Sequence, residues 1–155
     1  AFKPLKKQLA RTKLVKKLIP DQYAYSEIDI KHLKYFSAFL NSPTFKQYLK
    51  FITGFQSKKA TYSLKVFGHR DYTLLHDNEK GWNGVDLILD ITDDWEQSWG
   101  GYVRYINAEG TLFTLVPSEN TLTLVKRTAD MHSFVKYVNS AAGNNRRMFV
   151  EGKII

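Results

Sequence analysis

The sequence of 155 residues contains no cysteine, and this absence limits the chemistry available to the chain. Without thiols the chain forms no disulfide bonds and offers no thiolate ligands to a metal ion. The lack of disulfides is common in reducing compartments. Long apolar runs are also missing, since none approaches the roughly 20 residues that a membrane-spanning helix needs. We therefore expect a single globular domain over residues 1–155 that makes no membrane contact.

Several catalytic signatures are missing as well. The sequence has no Gly-rich phosphate loop, no Gly-x-Ser-x-Gly elbow and no cysteine nucleophile. Four acidic residues cluster in predicted turns, where solvation is the ordinary role of a carboxylate: Glu79, Asp93, Asp94 and Glu96. Hydrolase, thiol and nucleotide chemistry therefore have no local support.

Acidic residues are absent from residues 1–20, which hold seven basic ones, and the whole chain carries a net charge of +8. One interpretation is a surface for an acidic protein or for RNA. The other is a solvated helix face or a linker. Under the first interpretation, Lys6, Lys7, Lys16 and Lys17 are the partner-binding residues. Changing them to glutamate would then weaken binding at low salt.

Helical periodicity dominates residues 1–55. A loose apolar stripe over residues 5–19 predicts a first helix that Pro20 ends. Ser26 and Asp29 resemble a capping box that starts a second helix, which ends at Asn41. A third helix follows, with Ser42 at its N-cap and Pro43 at its first position, and Gly54 closes it. We expect these helices to pack outside a sheet.

After Gly54 the apolar period changes to two, which is typical of strands. Eight short strand candidates follow, separated by glycine- and proline-containing turns, and they predict a mainly β jelly-roll over residues 56–155. The candidates are Tyr62–Val66, Tyr72–Leu75, Val85–Ile91, Tyr102–Ile106, Thr111–Val116, Thr121–Lys126, Phe134–Asn139 and Met148–Val150.

Four local strings then point to a family. They are Tyr72–Asp77, the Trp95 to Tyr102 segment with its Gly100-Gly101 pair, Asn120–Val125 and Ser133–Asn139. Together they resemble the two-domain prolyl hydroxylases that use Fe(II) and 2-oxoglutarate, in which a catalytic double-stranded β-helix precedes a second, degenerate copy. The chain is similar to the second copy. It does not begin with methionine, and we expect it to be part of a longer protein.

The resemblance implies a function for the parent protein. Such proteins modify a proline of a small-subunit ribosomal protein and are linked to translation termination and oxygen sensing. It implies Fe(II), 2-oxoglutarate and ascorbate as cofactors of the parent and none for this domain. The expected partners are the parent's catalytic domain and ribosomal, translation-termination or transcription-regulatory proteins, in the nucleus and cytoplasm.

The same resemblance allows a test of the metal site. Fe(II) enzymes of this kind need two histidines and a carboxylate, the first two ligands being spaced His-x-Asp on one strand face. His76 matches the first ligand, but Asn78 replaces the carboxylate and Ser133 stands at the distal histidine position. Arg147 matches the arginine that would pair with 2-oxoglutarate. With one ligand of three, we expect a vestigial site.

A rival interpretation keeps the enzyme active. His69 and Asp71 are also spaced His-x-Asp, and His132 and Arg147 follow in the order that an iron-binding triad with its 2-oxoglutarate arginine requires. Gly68 precedes the pair and a strand is predicted from Tyr72, which favours a turn at His69 and Asp71 instead of a metal-binding strand.

Three tryptophans flank the predicted strand Val85–Ile91. Trp95 and Trp99 lie beside the Gly-Gly turn, where we expect core and rim packing. Trp82 lies in a loop and is the best candidate for an exposed anchor. The leading hypothesis is thus a non-catalytic interaction domain. The alternatives are an active dioxygenase and a domain that binds RNA directly.

Overall fold

The structure, a computed structural model, describes residues 12–55, 59–75 and 83–155. The strands in these residues pair antiparallel throughout, as the period-two pattern predicted. In chain order they are β1 (Val15–Ile19), β2 (Tyr23–Asp29), β3 (Ala60–Phe67), β4 (Tyr72–Thr73), β5 (Gly84–Asp90), β6 (Val103–Asn107), β7 (Gly110–Leu115), β8 (Thr121–Arg127), β9 (His132–Val135) and β10 (Arg147–Ile154).

Two sheets face each other. The major sheet has the strand order β1-β2-β3-β10-β5-β8, with β4 paired to β2, and the minor sheet has the order β7-β6-β9. One apolar cluster joins both sheets and includes Phe67, Ile88 and Phe149 from the major sheet and Val103 and Val135 from the minor one. The result is the predicted mainly β jelly-roll, or double-stranded β-helix.

Two α-helices lie outside the major sheet, as predicted. They are α1 (Lys34–Asn41) and α2 (Pro43–Thr53), and their buried residues join an apolar cluster with the outer face of the sheet. The predicted caps of α2 are confirmed: Ser42 Oγ accepts a hydrogen bond from Phe45 N, and Gly54 adopts the left-handed conformation. Neither helix has the length and apolar character of a membrane span.

The helical prediction for the N-terminal region is wrong in two places. Residues 15–19 form β1 and residues 23–29 form β2, and the two strands make a hairpin through Pro20 and Asp21. Gln22 N donates to Ile19 O at 3.1 Å across that turn. Ser26 is therefore a buried strand residue, whereas Asp29 caps a short 3-10 helix and α1 begins only at Lys34.

Edge position explains the first error. Every residue of β1 is exposed, so its apolar side chains need not alternate and their spacing also fits a helix. Strand β2 does alternate, but one face carries the small residues Ala24 and Ser26 before Ile28, which hides the period. The turn between β1 and β2 can be predicted from the sequence, because Pro followed by Asp favours a reverse turn.

Candidate functional site

The His69–Asp71 segment forms the turn that the preceding glycine predicted. Asp71 N donates to Gly68 O, and Gly68 N donates back to Asp71 Oδ2, both at 2.9 Å. The other carboxylate oxygen forms a salt bridge with Lys16 on β1. Asp71 is buried, whereas His69 is exposed. The Asp71 carboxylate thus connects this turn to the edge of the major sheet, and both of its oxygens have a partner.

The positions of His132 and Ser133 on β9 settle which of them faces the interior. Ser133 pairs with Tyr105 and His132 pairs with Ile106 in the β6–β9 register. Because successive strand residues point to opposite faces, and Tyr105 belongs to the interior cluster, Ser133 points inward and His132 outward. Ser133, which the resemblance places at the distal ligand position, therefore faces the interior, and the neighbouring His132 does not.

Ser133 belongs to a buried polar network. Arg127 Nη1 donates to Asp86 Oδ2 at 2.7 Å and to Ser133 Oγ at 3.2 Å. The hydroxyl of Tyr105 donates to the same Asp86 oxygen at 2.9 Å. A further bond runs from Arg127 Nη2 to Met131 O at 2.5 Å. The Ser133 hydroxyl thus accepts a hydrogen bond from the arginine of the Arg127–Asp86 ion pair.

Burial shifts the pKa values of the acidic groups in this network. It raises the pKa of Asp86 above the ordinary value of 3.8, and Arg127, which lowers that pKa, offsets only part of the effect. Burial, together with the nearby Asp86, also raises the pKa of Tyr105. Asp86 Oδ1 is buried and accepts no hydrogen bond within the described residues. Tyr105 therefore remains neutral, and its hydroxyl donates a hydrogen bond to the Asp86 carboxylate.

Arg147 lies at the start of β10 and is only 1% exposed. Its Nη1 donates to Asp90 Oδ1 at 2.6 Å and to Thr92 Oγ1 at 2.5 Å. Its Nε donates to Gly101 O at 3.2 Å, and its guanidinium lies 4.8 Å from the ring centre of Phe149. Burial lowers the pKa of Arg147 to about 10, with Asp90 opposing the change, so the guanidinium stays charged near neutral pH.

The contacts of Arg147 bear on its alternative assignment as a 2-oxoglutarate ligand. A 2-oxoglutarate arginine has to present its fork to the ligand's carboxylate, since bidentate pairing provides the affinity. Here Asp90 already neutralises the charge, and the backbone beside the Gly-Gly turn takes a further donor. In this structure the side chain links β10, β5 and the Gly-Gly turn through its Nη1 and Nε atoms.

A third acid–base pair lies farther along the same inner face. Lys65 Nζ and Glu151 Oε2 are 2.7 Å apart, and the ammonium lies 5.1 Å from the ring centre of Tyr25. Burial by itself raises the pKa of Glu151, but Lys65 and Lys153 outweigh it, so the pKa lies below the ordinary value of 4.5. The interior face of the major sheet is therefore lined by paired charges.

Because of that lowered pKa, Glu151→Gln should flatten the acid part of the stability profile. Between the ordinary value of 4.5 and the lower folded pKa, the unfolded chain binds more protons, so the free energy of unfolding falls as pH falls. The variant lacks this contribution. Urea denaturation between about pH 7 and about pH 3 measures the difference. Glu109→Gln, at an exposed turn position, is the control, and equal slopes for wild type and Glu151→Gln would contradict the prediction.

These contacts do not assemble an iron site. Within residues 12–55, 59–75 and 83–155, no three His, Cys, Asp or Glu side chains form a group able to hold a metal ion. That range includes His69, Asp71 and His132, which the structure does not bring together. His76 and Asn78 lie outside the described residues. The donor set that the structure describes therefore does not fit Fe(II).

The structure describes two of the five candidate partner-binding residues. Lys16 is paired with Asp71, and Lys17 Nζ lies 3.8 Å from Glu27 Oε2, so both stabilise the sheet edge. Lys6, Lys7 and Trp82 lie outside the described residues. The tryptophans beside the Gly-Gly turn pack as predicted: Trp95 and Trp99 meet edge to face at 5.3 Å and join the interior cluster.

Sequence reasoning missed the acidic partners in this interior, Asp86 and Asp90. The signal was present, because both alternate with the apolar residues of a strand that is buried along its whole length. A buried strand with carboxylates on one face requires cations opposite them. The sequence predicts that need, but it does not identify Arg127 and Arg147 as the partners.

Comparison with known proteins identifies the family of the chain. The chain matches the family described as "Oxoglutarate and iron-dependent oxygenase degradation C-term" over residues 6–152. It is 38% identical over 81 residues to "Prolyl 3-hydroxylase OGFOD1" of Xenopus laevis and 35% identical over 85 residues to the Mus musculus protein of that name. The alignments cover 49% and 53% of this chain but only 16% and 15% of those relatives, so the chain spans a small part of them.

Solved structures support the fold. A 2OG-Fe(II) oxygenase family oxidoreductase from Burkholderia pseudomallei superposes with a TM-score of 0.74, at 9% identity, over 97% of this chain and 76% of that one. A Trichoplax adhaerens prolyl hydroxylase, solved with a hypoxia inducible factor peptide, gives 0.69 at 13% identity, with the same coverage of 97% and 76%. At such identities the likeness establishes the shared jelly-roll architecture alone.

Proposed function

Because this chain belongs to the family described as "Oxoglutarate and iron-dependent oxygenase degradation C-term", we propose that it is a non-catalytic C-terminal domain of a prolyl hydroxylase. Its role is protein interaction or regulation of the parent enzyme. The parent uses Fe(II) and 2-oxoglutarate, with ascorbate, in its own catalytic domain. That domain is the first partner, and the clients are proteins of translation termination or oxygen-dependent regulation in the nucleus and cytoplasm.

One observation carries the non-catalytic assignment: the Arg147 guanidinium is committed to Asp90 at 2.6 Å and buried. A 2-oxoglutarate molecule would have to displace an internal carboxylate that already has a near-ideal contact. Doing so would leave Asp90 buried without a counterion, which is strongly unfavourable. The inward position of Ser133 supports the same conclusion, because a hydroxyl that accepts from Arg127 replaces the distal imidazole.

The packed interior and the net charge of the chain support an interaction role. The jelly-roll has a packed apolar interior, so the domain can present its surface on a stable framework. The chain also carries a net charge of +8, which favours acidic partners through long-range attraction. A rigid, basic domain attached to an oxygenase suits recruitment of a client or control of the neighbouring domain.

We expect Fe(II) and 2-oxoglutarate, added together under anaerobic conditions, to leave the melting temperature of the chain unchanged. A ligand that binds only the folded state raises stability as its concentration exceeds Kd, so differential scanning fluorimetry reports binding directly. An active prolyl hydroxylase treated in the same way is the positive control.

The active-dioxygenase alternative forecasts the opposite. If His69, Asp71, His132 and Arg147 form a working site, the two ligands will raise the melting temperature and Asp71→Ala will abolish that rise. Asp71→Ala alone would lower stability in either case, because it breaks the buried bond to Gly68 N and the pair with Lys16. The ligand-dependent shift, and not the basal stability, is therefore the deciding quantity.

A further inference from the structure

Strand β1 forms one edge of the major sheet. It stands at the end of the strand order, and every one of its residues is exposed. Its neighbour β2 pairs with β1 on one side and with β3 and β4 on the other. The outer side of β1 therefore has no strand partner in the part of the chain that the structure describes. An edge strand of this kind presents unpaired backbone N–H and C=O groups.

The backbone of β1 is regular enough to accept a further strand. All of its residues pair with β2 in one continuous register. Edge strand β7 of the minor sheet differs, because its pairing with β6 shifts register between Tyr105 and Ile106. Edge strand β8 differs too, since its residues Val125 and Arg127 are buried. Bulges and coverage are common means of blocking strand addition, and β1, which is described along its whole length, has neither.

The side chains of β1 define the pattern that an added strand would need. Val15, Leu18 and Ile19 are 53%, 61% and 41% exposed. Because strand residues alternate between faces, Lys17 lies between Val15 and Ile19 on one face, and Lys16 and Leu18 share the other. Each of these residues would lie directly opposite one residue of the new strand. An antiparallel partner, read from its N-terminus, therefore needs two apolar residues, two that suit lysine and one further apolar residue.

The charge of this edge favours carboxylates on the added strand. Residues 1–20 contain no acidic residue. Lys16 pairs with Asp71 and Lys17 with Glu27, and both acids lie on the β2 side of the strand, in the 68–71 turn and on β2 itself. The two lysine side chains nevertheless remain 51% and 45% exposed. Opposite charges directly across a strand pair are stabilising.

A second copy of the chain fits this edge poorly. Two antiparallel copies of β1 related by a two-fold axis place one residue directly opposite its own copy. An axis at Lys16 or Lys17 sets two lysines opposite each other, which is destabilising. An axis at Leu18 pairs only residues 17–19 of the strand, because the turn at Pro20 ends it. The lysines thus disfavour self-association and favour a different, acidic partner.

We infer that β1 accepts an extended, acidic segment of a partner protein as an additional antiparallel strand of the major sheet. Backbone hydrogen bonds along β1 hold the segment, and its carboxylates lie opposite Lys16 and Lys17. Its aliphatic side chains cover Val15, Leu18 and Ile19. In strand addition, backbone bonds supply affinity and the side chains supply specificity. This inference rests on the proposed interaction role and specifies how the partner binds.

The test is a selection for peptides that bind the complete chain. The probe is a displayed library of peptides of about nine residues with random central positions, since strands are usually about five residues long. Enriched peptides should read apolar, apolar, acidic, acidic, apolar, and should lack proline in that stretch. The best peptide should slow hydrogen exchange at alternate amides within residues 15–19, because the added strand protects those that point away from β2.

Two variants test the side-chain pattern. Lys17→Glu should weaken the best peptide at least about fivefold at low salt, and a peptide with lysine in place of the opposing acid should regain that affinity. Leu18→Asp should weaken the acidic peptide as well. Leu112→Ala removes a comparably exposed residue from β7 and should have no effect. Thermal unfolding checks that each variant is folded, and the exchange pattern of the wild type carries the test if Lys17→Glu unfolds.

Several outcomes would overturn the inference. They are the absence of enriched peptides, enrichment of basic ones, or binding that leaves hydrogen exchange in β1 unchanged. A labelled oligouridine that displaces the peptide without protecting the β1 amides would assign the lysines to nucleic acid. A concentration-dependent dimer that Leu18→Asp abolishes would assign the edge to self-association. None of these measurements involves iron or 2-oxoglutarate, so they can fail while the non-catalytic assignment stands, and the reverse also holds.

Discussion

Replacing Arg147 with alanine is expected to lower the free energy of unfolding by about 3–5 kcal/mol, the range for breaking a buried ion pair from one side. Asp90, which is only 4% exposed in the native structure, would lose its guanidinium partner. Asp90 still accepts from Thr92 N at 3.0 Å and from Ser118 N at 2.8 Å, so its backbone contacts hold the uncompensated charge inside. Urea denaturation at neutral pH measures the loss.

The matched control is Arg104→Ala on β6. Arg104 stacks over Tyr102 with 5.1 Å between the guanidinium carbon and the ring centre, and it is partly exposed, so its loss should cost no more than about 1 kcal/mol. The double change Arg147→Ala/Asp90→Ala should cost less than the sum of the two single changes, because it removes both charges. Additive losses would show that the two side chains do not form a coupled pair.

The stability result also bears on function. A residue held ready for 2-oxoglutarate would be coupled weakly to the rest of the fold, and Arg147→Ala would then leave stability nearly unchanged while abolishing ligand binding. The structure favours the reverse pattern, since the guanidinium contacts β5, Thr92 and the Gly-Gly turn simultaneously. The side chain that the resemblance assigned to 2-oxoglutarate would thus serve as a link between structural elements.

Local sequence signals predicted the second α-helix and most of the strands after Gly54, because such signals depend on neighbouring residues. The caps of α2 at Ser42 and Gly54 are set by side-chain and backbone chemistry within one turn. The alternation in Tyr62–Val66 reflects one face against the helices and one against the interior. Strand β1 has no buried face, so its sequence carried no alternation to read.

The interior charges could not be assigned in advance for a different reason. Asp90 and Arg147 are 57 positions apart in sequence, and they meet because β5 and β10 pair antiparallel with Phe149 opposite Asp90. Only the register of that pairing decides which acid faces which base. The resemblance singled out Arg147, but the choice between a cofactor ligand and a structural pair required the position of Asp90.

Gly100→Ala should have an effect at least as large as the loss of Arg147, about 4 kcal/mol or more, and could prevent folding altogether. A Cβ at this position would lie 2.1 Å from Tyr137 O and 3.1 Å from Tyr137 C, which are backbone atoms that cannot rotate away. The backbone of Gly100, at φ 84° and ψ −146°, is also poorly accessible to any residue with a side chain.

The cost arises because the turn is held against residues 136–139 from both sides. Gly101 N donates to Lys136 O, and Asn139 N donates to Trp99 O, both at 3.0 Å. Trp95 Nε1 closes the same turn on Gly100 O at 2.9 Å. To admit a methyl group, the turn would have to lift away and break these bonds, and it would carry with it Gly101 O, which accepts from Arg147 Nε.

Gly54→Ala separates the two causes of this loss. Gly54 also has a positive φ, 66°, but a Cβ there would meet nothing within 4 Å. Its substitution should therefore cost only the left-handed strain of about 1 kcal/mol. Any loss beyond that in Gly100→Ala reports the close approach of the turn to Tyr137. Equal losses in the two variants, measured by urea denaturation, would mean that the turn moves away from Tyr137 at little cost. The Gly-Gly pair would then not determine the position of Arg147.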